Sequence, residues 1–154
     1  MNRNEIQELL HHRDPYLMVD QILEIDQNRI SSVKKFTGEE FYLKGHFPGM
    51  PVVPGAMLQE FCTQTAGVLL TKFYSPVENY NSNNTLGWAI GVLAKVEFAK
   101  YKSVVKPSHD IISQVELVSF QENLFKFSAK VFQNDELKAH LKFQLANLKS
   151  SYLA

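Results

Sequence analysis

The 154-residue sequence contains a single cysteine, Cys62, so it cannot form an internal disulfide or a cysteine-based metal site. Its 16 basic and 16 acidic side chains cancel, which excludes a global attraction to nucleic acid or to an anionic membrane surface. It also lacks a run of ~18 apolar residues and an N-terminal secretory signal, so membrane insertion is not expected. These absences predict a cytoplasmic protein with no nucleic-acid partner, in which any acidic partner contacts a local basic patch.

Length and composition predict one globular domain over residues 1–154. With 45% hydrophobic and 21% charged residues, the chain is long enough to bury a core. Cys62 lies in an apolar stretch beside Phe61. We therefore interpret it as a small core residue rather than as a nucleophile.

The strongest secondary-structure signal is the apolar stretch at residues 56–73, in which Gly67 is the only helix-breaking residue. It is apolar on nearly every side, which predicts a long helix buried against a sheet. A shorter amphipathic helix is predicted at residues 5–10. Alternating or β-branched stretches predict about six strands, at residues 16–25, 29–37, 87–98, 110–120, 125–133 and 137–148.

Together these elements predict an α+β domain in which an antiparallel sheet wraps a long central helix. Short polar turns at residues 121–123 and 133–136 indicate that the strands they join pair as hairpins. A sheet of this size has free edges, which a homodimer would cover. The Asn-rich residues 75–85 form a polar loop that we interpret as a lid or a rim.

The segment at residues 45–55, GHFPGMPVVPG, places three glycines and three prolines around one histidine, His46. Because proline fixes the backbone, such a segment holds a side chain in one place. From these residues alone His46 is either a catalytic base or a hydrogen-bonded structural residue.

Glu60 and Gln64 lie four residues apart on one face of the long predicted helix. A buried carboxylate is costly unless it is paired or protonated, so Glu60 is either a proton donor in a site or a residue at solvent or at a subunit boundary. Gly55, at the helix start, offers a backbone N–H that can receive an enolate oxygen. Histidine, carboxyl group and N–H together suit proton abstraction next to a carbonyl coupled to loss of a β-hydroxyl.

Residues 45–55, followed by Glu60 and Gln64, resemble in residue type and spacing the signature of the FabZ-type 3-hydroxyacyl-[acyl-carrier-protein] dehydratases, a hotdog-fold family. Residues 12–20, HRDPYLMVD, resemble the N-terminal segment of the same family. The resemblance covers nearly the whole chain and is strongest at residues 12–70. It implies a single hotdog domain that forms a dimer, with a trimer of dimers common in the family.

The resemblance also implies roles for individual residues. His46 and Glu60 would be an acid/base pair contributed by opposite subunits, the Gly55 N–H would bind the thioester oxygen, and Gln64 would hold Glu60 or a water. Phe47, beside His46, is the preferred candidate for the acyl tunnel. Val53 is a further candidate for contact with substrate. Trp88, Phe98 and Tyr101 either line the acyl tunnel or belong to the core, as is usual for aromatic residues on strands. The implied reaction converts (3R)-3-hydroxyacyl thioesters on acyl carrier protein to trans-2-enoyl thioesters and requires no metal or organic cofactor.

Two segments depart from the family pattern. Residues 94–98 read AKVEF where the family often has an aspartate followed by a basic residue, and residues 107–110 read PSHD in place of a Pro-Gly-Asp turn. The departures leave the acyl chain length and the carrier open, and with them the choice between fatty-acid biosynthesis and a specialised pathway such as aryl polyene formation. FabA-type relatives, which also isomerise the double bond, usually carry Asp at the acid position, so Glu60 favours dehydration alone.

Three lysines, Lys95, Lys100 and Lys102, cluster with Lys106. They are either a docking patch for the acidic carrier protein or a solvated strand face. Two other functions stay open. A hotdog thioesterase would need a carboxylate aimed at a water, and a non-catalytic acyl-binding subunit would be expected to lack the histidine or the glutamate.

Overall fold

The computed structural model describes residues 1–152, and these contain three α-helices and six strands. This confirms the predicted α+β class with a short N-terminal helix, a long helix and six strands. The elements are α1 (Arg3–Leu9), β1 (Gln21–Ile25), β2 (Arg29–Lys35), α2 (Phe41–Lys44), α3 (Gly55–Tyr74), β3 (Trp88–Tyr101), β4 (Asp110–Gln121), β5 (Leu124–Gln133) and β6 (Glu136–Lys149), followed by a 3-10 turn (Ser150–Tyr152).

All six strands form one antiparallel sheet in the order β1-β2-β4-β5-β6-β3. β4, β5 and β6 are joined by the predicted hairpins. In the second hairpin Asn134 and Asp135 have φ values of 52° and 61°, the turn geometry that matches the twist of paired strands. β3 follows α3 in the chain but pairs with β6, so it forms one edge of the sheet.

α3 packs across the sheet and against every strand from β2 to β6. Thirteen of its 20 residues are buried, which explains why its sequence is apolar on nearly every side. Cys62 is fully buried, and burial raises the pKa of its thiol to about 12. The prediction that Cys62 is a core residue is therefore confirmed.

Two local details differ from the sequence prediction. Residues 16–20 are irregular and do not extend the first strand, because the backbone of Tyr16 and Met18 bonds to the Gln64 side chain and not to a neighbouring strand. The four-residue α2 was not predicted. The Glu40 carboxylate accepts bonds from the backbone N–H groups of Thr37 and Gly38 and so fixes the approach to α2.

The edge strand β3 is the least covered part of the sheet. None of its 14 residues is buried, and residues 93–101 are all exposed. Its exposed apolar side chains include Leu93, Val96 and Phe98. A long apolar edge of this kind is a surface for strand pairing.

The polar loop at residues 75–85 lies against α1. The backbone N–H of Ser82 donates to the Glu8 carbonyl at 2.7 Å, and its hydroxyl donates to the Gln7 carbonyl at 2.6 Å. The loop therefore rests on the N-terminal helix, and its role as a lid or rim stays a prediction. Within residues 1–152, no helix combines the length and apolarity that crossing a bilayer requires.

Candidate active site

His46 follows α2 on the rigid segment that leads to α3. Its Nδ1 lies 2.8 Å from the carbonyl oxygen of Val52. A carbonyl only accepts hydrogen bonds, so Nδ1 must carry the proton. In the neutral ring Nε2 then has a free lone pair, which is the form that a general base requires.

Phe47 has φ = 60°, a left-handed conformation that is rare for a bulky residue. Its ring contacts the His46 ring edge-on, with centroids 4.6 Å apart, and its side chain is 60% exposed. With Met50, Pro51 and Lys106 it borders an open apolar hollow of about 600 Å³. Phe47 thus lies beside His46 as predicted, but at an open surface of the single chain and not in an enclosed tunnel.

Gly55 is the first residue of α3, where backbone N–H groups have no intrahelical partner. It lines a cleft of about 360 Å³ together with His46, Val53, Tyr101 and Lys102. A Cβ at residue 55 would lie only 2.9 Å from the Tyr101 ring, so any other residue there would displace the ring from this position. The structure therefore brings the predicted base and the predicted oxyanion donor into one cleft.

Gln64 is 1% exposed and makes three hydrogen bonds. Its Oε1 accepts from the Met18 N–H at 2.7 Å, and its Nε2 donates to the Tyr16 carbonyl at 2.9 Å and to Glu60 Oε1 at 2.8 Å. Because one backbone partner can only donate and the other can only accept, the orientation of the amide is determined. Gln64 thus donates a hydrogen bond to Glu60, and the holding role that the family resemblance implies stays a prediction.

The surroundings of Glu60 include two residues that sequence reasoning did not place there. His12 Nε2 lies 3.7 Å from Glu60 Oε1. Burial, and then the Glu60 carboxylate, raise the pKa of the Tyr16 phenol. Both residues belong to the segment at residues 12–20, whose resemblance to the family was the available signal, although it gave no indication of a contact with Glu60.

The predicted site residues thus fall into two groups within one chain. His46, Val53 and Gly55 line the cleft and Phe47 borders the neighbouring hollow, whereas Glu60 and Gln64 contact residues 12–18. In the part of the chain that the structure describes, no hydrogen bond or ion pair joins His46 to Glu60.

The predicted docking lysines lie along β3 and just after it. Lys95 and Lys100 are exposed on the strand, and Lys102 lines the cleft beside His46. This places one positive charge at the candidate site and two along the free edge.

A long helix wrapped by a six-stranded antiparallel sheet defines a hotdog-fold protein. In this protein the cleft that His46 lines lies at the start of that helix. Solved structures agree on the fold. The dehydratase heterocomplex ApeI:P from Xenorhabdus doucetiae matches with a TM-score of 0.73 at 13% identity over 96% of this chain and 93% of that one. The uncharacterized protein PH1136 from Pyrococcus horikoshii matches with a TM-score of 0.64 at 14% identity over 92% of both chains.

Sequence similarity establishes the family of this protein. A family model described as a FabA-like domain matches residues 10–142, and the chain belongs to this family. The 3-hydroxyacyl-[acyl-carrier-protein] dehydratase FabZ of Petrotoga mobilis is 31% identical over 97% of this chain and 100% of the relative. The enzyme of the same name from Rickettsia bellii is 34% identical over 90% of both chains. These matches confirm the predicted resemblance to FabZ-type dehydratases and support an enzyme of the hydro-lyase class.

Proposed function

We propose that this protein dehydrates (3R)-3-hydroxyacyl thioesters on acyl carrier protein to trans-2-enoyl thioesters. The observation that carries the proposal is the tautomer of His46, because its Nδ1 is fixed on the Val52 carbonyl and its Nε2 is left as a base in the cleft that Gly55 lines. The dehydratase relatives named above support the reaction type.

In the proposed mechanism neutral His46 removes the α-proton through Nε2. The electrons of the C–H bond form the new double bond, and the negative charge that develops on the thioester oxygen is stabilised by the Gly55 N–H and the N-terminus of α3. The C–O bond to the 3-hydroxyl breaks as Glu60 donates its proton, and water leaves. The thioester itself acidifies the α-position, so the residues of this chain supply every step.

The site would be completed by a second copy of the chain. Glu60 does not contact His46 within one chain, and the exposed edge of β3 is suited to pair with its own copy. In a homodimer built on β3, the carboxyl group of one subunit would face the histidine of the other. A trimer of dimers, implied by the family, stays a prediction.

We also propose a carrier and a pathway for the reaction. The three lysines on and after β3 provide positive charge for an acidic carrier protein, and Lys102 at the cleft provides it nearest to His46. We propose acyl carrier protein as the carrier because the dehydratase relatives are named for it, and we place the reaction in a cytoplasmic fatty-acid pathway or in a specialised pathway for an unusual acyl chain.

The test combines product analysis with subunit complementation. The protein is incubated with 3-hydroxyacyl thioesters of carrier protein and of coenzyme A, and products are identified by mass. Enoyl thioester should form, and both His46→Ala and Glu60→Gln should lower kcat by about 10²–10⁴-fold. The control Glu116→Gln changes an exposed carboxylate on β4 that pairs with Arg29, and it should keep the wild-type rate.

Mixed dimers of the His46→Ala and Glu60→Gln chains, isolated with two different tags, should recover roughly half of the wild-type rate, because one of their two sites is intact. Mixed dimers without activity would place both residues of a site on one chain. Free acid and thiol as products would make the protein a thioesterase, and tight binding without turnover would leave an acyl-binding subunit.

A further inference from the structure

The histidine at position 12 lies next to the proposed acid but has no part in the mechanism above. Its Nε2 is 3.7 Å from Glu60 Oε1, on the oxygen that also accepts from Gln64. Catalytic hydrogen bonds are often long in a free enzyme and shorten when substrate binds. The distance therefore allows a hydrogen bond between the two side chains in the reacting complex.

The backbone around His12 is held in place. The N–H groups of Tyr16 and Leu17 both donate to the Arg13 carbonyl, at 2.8 and 3.0 Å. The Arg13 guanidinium donates to the Leu10 carbonyl at 2.7 Å and to the Ser82 hydroxyl at 3.0 Å. The His12 ring also packs on the Tyr16 ring, with centroids 6.0 Å apart.

The environment of the ring determines which nitrogen carries its proton. Nδ1 of His12 is buried and has no hydrogen-bond partner within residues 1–152, whereas Nε2 faces a carboxylate. A buried N–H without an acceptor is costly, so the proton belongs on Nε2. Burial lowers the pKa of His12, with the Glu60 carboxylate opposing this in smaller part, so the ring is neutral at pH 7 and offers one N–H to Glu60.

We propose that His12 is a positioning residue that donates its Nε2–H to Glu60 Oε1 and, together with Gln64, orients the carboxyl group toward the substrate hydroxyl. This inference rests on the proposed function, in which Glu60 is the proton donor. Two donors on one oxygen fix the plane of the carboxyl group, so the second oxygen is presented to the leaving group. His12 itself touches no reacting atom in this scheme.

The kinetic test compares substitutions that keep or remove the donor. His12→Leu, of similar size but without an N–H, should lower kcat about tenfold and leave KM within about twofold. His12→Gln should recover kcat to within about threefold of wild type, since its amide N–H replaces the ring Nε2–H. The matched control is His11→Leu, because the His11 ring faces Tyr80, with Nε2 2.7 Å from its hydroxyl, and should keep kcat within about twofold. Equal kcat losses in the Leu and Gln variants, or an unchanged kcat in both, would overturn the proposal.

A second measurement does not depend on activity or on variants of His12. Side-chain ¹⁵N NMR of the full-length protein should show His12 as the Nε2–H tautomer, and its Nε2 signal should shift in Glu60→Gln but not in Glu116→Gln. An Nδ1–H tautomer, or a signal insensitive to Glu60, would overturn the proposal even in an active enzyme. If the wild-type protein forms no enoyl product while the NMR contact is present, the proposed function has failed and the His12–Glu60 contact stands.

Discussion

Helix α3 carries two polar pairs of the same spacing, Glu60–Gln64 and Gln59–Thr63, one residue apart. Both glutamines are at least nine-tenths buried, at 1% exposure for Gln64 and 8% for Gln59. In the first pair both the oxygen and the nitrogen of the Gln64 amide are bonded, to the Tyr16 and Met18 backbone and to Glu60. In the second, Gln59 Nε2 donates to the Thr63 hydroxyl at 3.1 Å, and Gln59 Oε1 is buried with no partner among the described residues.

The different hydrogen bonding of the two pairs shows that helical spacing alone does not define a site. A hydroxyl can donate or accept, so either orientation of the Gln59 amide satisfies Thr63 and leaves one amide group unpaired. Gln64, in contrast, has partners that permit one orientation only. A buried polar side chain positions its neighbour when its hydrogen bonds are complete, and it costs free energy when they are not.

The largest effect on stability is expected for Gln64→Leu. This change leaves the Met18 N–H, the Tyr16 carbonyl and one bond of Glu60 without their partner. The Met18 N–H is buried and contributes about 1–3 kcal/mol, and the two part-buried groups contribute less each, so the free energy of unfolding should fall by about 2–5 kcal/mol. Urea titration monitored by circular dichroism measures it. A loss below about 1 kcal/mol would mean that water replaces Gln64 and that its bonds are not what fixes residues 16–18.

A smaller effect is expected at a third polar contact of α3. Thr65 Oγ1 lies 2.7 Å from the Ser32 hydroxyl and donates to the Phe61 carbonyl at 2.8 Å, and both hydroxyl residues are fully buried. Thr65→Val keeps the shape of the side chain but leaves the Ser32 hydroxyl unpaired. The free energy of unfolding should therefore be about 1–2 kcal/mol lower than in wild type.

The matched control for Thr65→Val is the double change Ser32→Ala with Thr65→Val. Replacing both partners by apolar groups is nearly neutral, so the double variant should be more stable than the Thr65→Val single variant. Additive losses in the same urea titration would show that the two hydroxyls do not act as a pair.

The helix and the positions of its polar side chains could be predicted from the sequence, but their hydrogen-bond partners could not. The apolar stretch at residues 56–73 indicates helix α3, and the spacing of Glu60 and Gln64 places them on one face. The family resemblance names Gln64, but nothing in helical spacing or local composition distinguishes Gln59 from Gln64, because the difference lies in partners 46 and 48 residues away. For the same reason the sequence predicts a strand at residues 16–20, where in the structure the backbone of Tyr16 and Met18 bonds to a side chain on a distant helix.

The smallest loss of stability is expected for Gln59→Leu. This variant tests most directly whether the two polar pairs differ. Leucine has a similar volume and removes the unpaired amide group, while the Thr63 hydroxyl can bond to a carbonyl one turn earlier in the helix. The free energy of unfolding should therefore stay within about 0.5 kcal/mol of wild type or rise by about 1 kcal/mol. The same urea titration applied to Gln64→Leu provides the contrast. A loss as large as that of Gln64→Leu would mean that Gln59 has a partner in the assembled protein, and the two pairs would then be equivalent.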